Sequence, residues 1–307
     1  MSGSLSFSKL YKAFTEARDH TSEIVRVCIV GAGSELARVV GVMSAGADVE
    51  RGVSSALDAL SPADFPTDGG LSGRWDIVVV VAAGCAAAEA VPVVRAAHAA
   101  GRHVVALVEE QDDGAWARAA GVFDDEIARG VGGDHNGTPS LEKKIVQAAG
   151  DRSALLAAEL PAVRRAYCDH VVLTNATQNA VIGAVVIIPG ADMPAMTANQ
   201  IRMILKISAA YGEVVGLDRA IEILSVVGSA FVFRALARQA LDFVPGFGWA
   251  LKGTVGFTAT VALGEAAIAY FEAGAPLRVS RMQRINSQLD RARSRLPGFL
   301  QRGLSEE

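Results

Sequence analysis

Ile24-Val-Arg-Val-Cys-Ile-Val30, followed by Gly31-Ala-Gly33, is the stretch that decides how the first half of this 307-residue chain folds. A nearly continuous apolar run suits a parallel strand buried on both faces. The glycines let it turn tightly into a helix-like stretch that reaches Met43. Working outward, Val49–Leu60 reads as a short β-like piece and a helix, and Ser61–Gly73 as a Pro/Gly/Asp loop. Asp76-Ile-Val-Val-Val-Val81 is the clearest strand. Helix Ala86–Ala100 stops at Gly101, strand His103–Val108 follows, and Asp113–Gly121 is helical. Thr138 and Pro139 supply an N-cap and a first-turn proline for a helix over Ser140–Ala149. Strands alternating with helices of this length predict an α/β doubly wound parallel sheet.

After Gly150 the strand signals fade and an all-helical part is expected. Arg152–Tyr167 reads as a helix continuing towards Gln178, followed by the apolar run Val181–Ile188 and an elbow broken by Pro189, Gly190 and Pro194. Further helices are expected at Ile201–Tyr211, Leu217–Val227, Phe231–Phe243, Trp249–Phe271 and Arg278–Leu296. Before the sheet, Phe7, Leu10, Tyr11 and Phe14 form one stripe of an amphipathic helix. The expected organisation is therefore an N-terminal helix (1–20), an α/β domain (21–150), a helical domain (151–276) and an arginine-rich helix and tail (277–307).

Hydrophobic residues make up 51% of the chain and charged residues 20%. The charge is uneven, with 13 basic and 20 acidic side chains in residues 1–150, and 16 and 13 thereafter. A mildly basic second half suits an acidic surface, a membrane or a protein partner. It is too weak for a dedicated nucleic-acid binder. Cys28, Cys85 and Cys168 have no metal-ligand spacing. No secretory leader is legible, so a cytoplasmic location is expected.

A glycine turn between a buried first strand and a helix is where α/β folds hold phosphate. A Walker loop counted from Gly31 requires glycine, lysine and Ser/Thr where this chain has Leu36, Ala37 and Arg38. The ammonium for the phosphates and the hydroxyl for magnesium are missing, and Glu35 adds repulsion. The dinucleotide form matches at Gly31 and Gly33 but has Leu36 at its third glycine. The remaining reading is structural: small residues allow a tight turn.

The run Arg74–Val81, Val91–Ala100 and Gly101–Val108 resembles the later strands of a translation-factor-type GTPase. That resemblance puts Glu109-Glu110-Gln111-Asp112 on the guanine-reading Asn-Lys-x-Asp motif. Asp112 matches the base-reading aspartate, while Glu109 and Glu110 replace Asn and Lys and face the nucleotide with negative charge. The resemblance thus implies a degenerate domain. Gly31, Gly33 and Asp112 would contact GTP or GDP if any nucleotide bound, no catalytic residue or cofactor is expected, and NAD(P) is a weaker alternative.

The second half carries separate islands in order: Leu160-Pro-Ala-Val-Arg-Arg, Asn179-Ala-Val-Ile-Gly, Pro189-Gly-Ala-Asp-Met-Pro, Asn199-Gln-Ile-Arg-Met, Arg234-Ala-Leu-Ala-Arg-Gln and Val244-Pro-Gly-Phe-Gly-Trp. Together they resemble the YcjF-type domain of unknown function 697. This family includes members expected at the inner face of the bacterial plasma membrane. Asp192, Asn199, Gln200, Arg202, Lys206, Arg234 and Arg238 are the polar residues of these islands. They read either as caps and ion pairs or as contacts to a lipid headgroup or acidic partner. Gly253–Phe271 approaches bilayer-spanning length but contains Glu265, which favours a buried helix. The expectation is a non-catalytic adaptor or scaffold at an anionic membrane or membrane-bound partner, with homo-oligomer formation through the N-terminal stripe as a further option.

Overall fold

The computed structural model describes residues 24–46, 56–67, 70–71, 73–83, 85–109, 111–132, 140–185, 193–213, 220–221, 223–224 and 248–274. The N-terminal stripe, the helices expected at 231–243 and 278–296, and candidates Asp192, Arg234 and Arg238 lie outside them. The α/β half runs β1 (Val27–Val30), α1 (Gly33–Met43), β2 (Leu57–Leu60), β3 (Ile77–Val81), α2 (Ala87–Ala99), β4 (His103–Val108), α3 (Ala115–Ala119), β5 (Ile127–Arg129) and α4 (Leu141–Ala149). The helical half contributes α5 (Ser153–Glu159), α6 (Pro161–Val185), α7 (Met193–Ala210) and α8 (Gly248–Glu272).

All five strands are parallel, in the order β2-β1-β3-β4-β5. Alternate side chains sort into two layers, as the pleat requires. Val27, Ile29, Ile77, Val79, Val81, Val105 and Leu107 join one core with Val39 and Met43 of α1. Cys28, Val30, Val78, Val80, Val104 and Ala106 join the other, against Val93 and Val94 of α2. Helix α2 ends as the sequence predicts. Gly101 takes φ 67°, and the Gly101 and Arg102 amides donate to the His98 and Ala97 carbonyls, closing the last turn.

Five expectations are corrected. Leu57–Leu60 is a strand, not the end of a helix, because it pairs with β1 at the sheet edge. The three-residue strand β5 escaped the sequence reading, being too short to show a period. The cap of α4 is Ser140, whose hydroxyl accepts the Lys143 amide. The helix expected over Arg152–Tyr167 and on towards Gln178 breaks at Leu160 into α5 and α6, and α6 then absorbs the start of the apolar run at Val181. Helix α7 likewise begins at Met193 rather than Ile201; a proline in the first turn costs no backbone hydrogen bond.

The first core does not stop at residue 150. It continues without interruption through Leu141, Ile145, Leu156, Val163, Ile204, Ile207 and Ile268. Asp76, just before β3, ties the halves together. Its Oδ1 accepts Arg152 Nη2 at 2.9 Å and its Oδ2 accepts the Arg26 amide at 2.9 Å. Helix α6 lies antiparallel to both neighbours: Val172 meets Gly264 and Ala180 meets Gly253 of α8, while Asn175 meets Asn199 and Arg164 meets Tyr211 of α7.

Candidate functional site

In this strand order the connections after β1 and β3 leave on opposite faces, α1 to one and α2 to the other. That divergence is the switch point at which open α/β sheets bind ligands, beyond the carboxyl ends of the strands. A cleft of ≈ 350 Å³ lies on that edge, lined by Glu35 and Arg38 of α1, Val81 at the end of β3 and Ala83 beyond it, Leu107 and Val108 of β4 and Glu109 just after, and Gly130 and Val131 after β5.

Its electrostatics disfavour an anion. Among the described residues Arg38 is the one cation in the lining, and its Nε and Nη2 both hold Glu35 Oε2 at 2.9 Å. Glu109 brings a second carboxylate. A phosphate here would meet two negative charges and one guanidinium already engaged. Gly31 has a packing reason to be glycine: a Cβ there would lie 3.0 Å from Val81 Cβ. Gly33 takes φ 61° with open space around it. Asp112 does not line the cleft. Its Oδ1 accepts the Gly114 amide at 2.8 Å, an Asx turn that opens α3, and Arg129 Nη2 holds its carbonyl at 3.3 Å. Beside the cleft, Glu142 is buried, with Oε1 accepting the Gly132 amide at 2.7 Å and Oε2 without a partner among the described residues.

The candidates of the helical half separate. Asn199 is interior and belongs to a chain of polar groups crossing three helices. Its Nδ2 donates to Asn179 Oδ1 (2.9 Å) and to the Asn175 carbonyl (3.1 Å). Asn179 Nδ2 donates to Thr260 Oγ1 (2.8 Å), which donates to the Gly256 carbonyl (2.7 Å). Among the described residues Asn199 Oδ1 has no partner. Gln200 is half-buried, Arg202 exposed and Lys206 half-buried on α7. The sequence reading missed Asn175 and Thr260 as members of this chain; the available signal was the Asn175/Asn179 pair at i, i+4 within α6.

Among the described residues no group of His, Cys, Asp or Glu is placed to hold a metal ion. Burial pushes the Cys28 and Cys168 thiols up to about 12, the nearby Asp58 and Asp169 carboxylates adding to it, so both are protonated and unreactive at neutral pH.

With this geometry in view, the comparisons with known proteins are informative for one half only. The chain matches the family model "Domain of unknown function (DUF697)" over residues 147–296. Those residues are a DUF697 domain. No curated protein matches the chain. The DUF697 match opens inside α4 and takes in α5 to α8, including the polar chain. Within it, Gly253–Glu272 is long and apolar enough to cross a membrane, with a mean hydropathy of 1.3. Its Glu265 is held outside the bundle by Arg165, Nη2 to Oε1 at 2.9 Å, while Gly253, Gly256, Thr260, Gly264 and Ala267 face inward.

Proposed function

We propose that this protein is a non-catalytic adaptor. Its α/β half is a degenerate, nucleotide-blind relative of P-loop GTPase-like domains, and its DUF697 half engages an anionic membrane surface or a membrane-bound partner. The observation that carries the first part is the cleft at the switch point. Where a triphosphate would rest, Glu35 neutralises Arg38, the one cation among the described lining residues, and Glu109 adds a further carboxylate. Two unit charges at such separations interact by several kcal/mol when partly shielded from water, and no lysine or hydroxyl among those lining residues offsets that. Support for the second part is compositional. The basic excess lies after residue 150, and α8 is membrane-compatible in length and hydropathy.

Calorimetric titration with GTP, GDP and NAD(P) in the presence of magnesium tests the first part, with no saturable heat expected. Flotation with anionic liposomes tests the second. The full chain should rise with the vesicles, and a protein that stays in solution at low salt contradicts membrane engagement. An atypical GTP-binding protein is the runner-up, favoured by the position of the cleft on the ligand-binding edge of the sheet.

A further inference from the structure

Helix α7 is interior on most of its circumference, with Ile201, Met203, Ile204, Leu205 and Ile207 all buried. Its outward line is Ala195, Ala198, Arg202, Lys206 and Ala209, spaced at three and four residues. Arg202 and Lys206 are the only charges on this helix and lie one turn apart. Among the described residues neither makes a hydrogen bond or an ion pair, in contrast to the partly buried Arg152 and Arg164 of this half. Arg152 holds Asp76, and Arg164 holds the Ala157 and Ala158 carbonyls and covers the Tyr211 ring.

Two like charges at i, i+4 destabilise a helix, and partial burial disfavours an ammonium ion. Lys206 has its pKa lowered, by burial first and by Arg202 second, and Asp151 opposes this only in part. Among the described residues, half-buried Lys206 thus lies beside exposed Arg202 with no carboxylate bound to either. The alanines on the same line add little bulk beside the two heads, and a planar guanidinium fork beside a compact ammonium is a donor set suited to tetrahedral oxyanions.

We infer that Arg202 and Lys206 form a binding site for a phosphate-type anion on the outward face of α7. The inference rests on the adaptor reading only for the source of the anion, a phosphomonoester lipid headgroup or free phosphate; the binding itself is a property of the pair.

Thermal unfolding of the full chain in inorganic phosphate, against chloride at matched ionic strength, reads the site directly. Phosphate at ten times its dissociation constant should raise Tm by about 2–4 °C. Arg202→Gln and Lys206→Met should each weaken the apparent phosphate affinity at least about tenfold, a change of about 1.4 kcal/mol or more. Lys206→Met should be no less stable than the parent in phosphate-free buffer, since it removes a desolvated charge. Equal shifts in phosphate and chloride, or a phosphate shift retained by both variants, overturns the site. Vesicles of phosphatidylcholine with and without phosphatidic acid then assign the source. Loss of co-sedimentation in both variants identifies the lipid headgroup. Variants that bind vesicles like the parent while losing the phosphate shift leave the site standing for free phosphate, and place membrane contact elsewhere.

Discussion

Asn179 shows how single side chains hold the helical half together. It donates to Thr260 on α8 and accepts from Asn199 on α7, and all three are buried. Replacing it with leucine takes one hydrogen bond from each of two buried groups, which keep only their bonds to the Gly256 and Asn175 carbonyls, at about 0.5–1.5 kcal/mol per bond. Asn179→Leu should therefore lower the unfolding free energy by about 1–3 kcal/mol in chemical denaturation; a loss under about 0.5 kcal/mol would show the chain to be incidental. Asp76 makes a second prediction at this scale. Burial alone would raise its carboxyl pKa, but the Arg26 amide and the Arg152 guanidinium outweigh that and hold it below its usual value. A lowered folded pKa gives stability that is present above the unfolded value of about 3.9 and disappears as pH falls through the folded one. Arg152→Met should move the acid-unfolding midpoint, followed by circular dichroism, to higher pH, and an unchanged midpoint would remove Arg152 from the link between the halves. Of these residues, Asn199 was legible from sequence as a polar residue in an otherwise apolar context. Thr260 and Asp76 were not, because their partners lie 81 and 76 residues away.

At the scale of elements, the α6–α8 pair depends on missing side chains. A Cβ on Gly256 would lie 2.9 Å from Met196 Cε and 3.0 Å from the Asn179 carbonyl oxygen, and one on Gly264 would overlap the Val172 methyl groups. Overpacking of this kind costs about 1–3 kcal/mol. Gly264→Ala should destabilise by that amount, and adding Val172→Ala should recover part of the loss, a coupling that a double-mutant cycle measures. Strictly additive effects would mean that the two helices separate readily. Helix α8 was readable from sequence to within a residue at each end, since its apolar length and flanking Pro245-Gly246 and Gly274 mark it. The elbow before α7 misled: a proline looks like a break but is compatible with the first turn of a helix. β5 was illegible because three residues carry no periodicity, and pairing with β4 creates the strand.

The whole molecule joins a parallel α/β sheet to a DUF697 bundle through one continuous core, from Val27 and Val79 to Ile204 and Ile268. Composition marked the change from mixed to helical structure near residue 150, but not that the halves would share a core, because apolar residues on both sides satisfy the pattern of either arrangement. The cleft at the carboxyl edge of the sheet holds Arg38 paired with Glu35 and adds the Glu109 carboxylate, and the proposed adaptor role depends on that charge. Isothermal titration of the full chain with GTP and magnesium measures it most directly. The account predicts no saturable heat, and Glu109→Lys, which reverses one cleft charge, should if anything increase nucleotide affinity. Saturable GTP binding at micromolar concentration by the unaltered chain would contradict it.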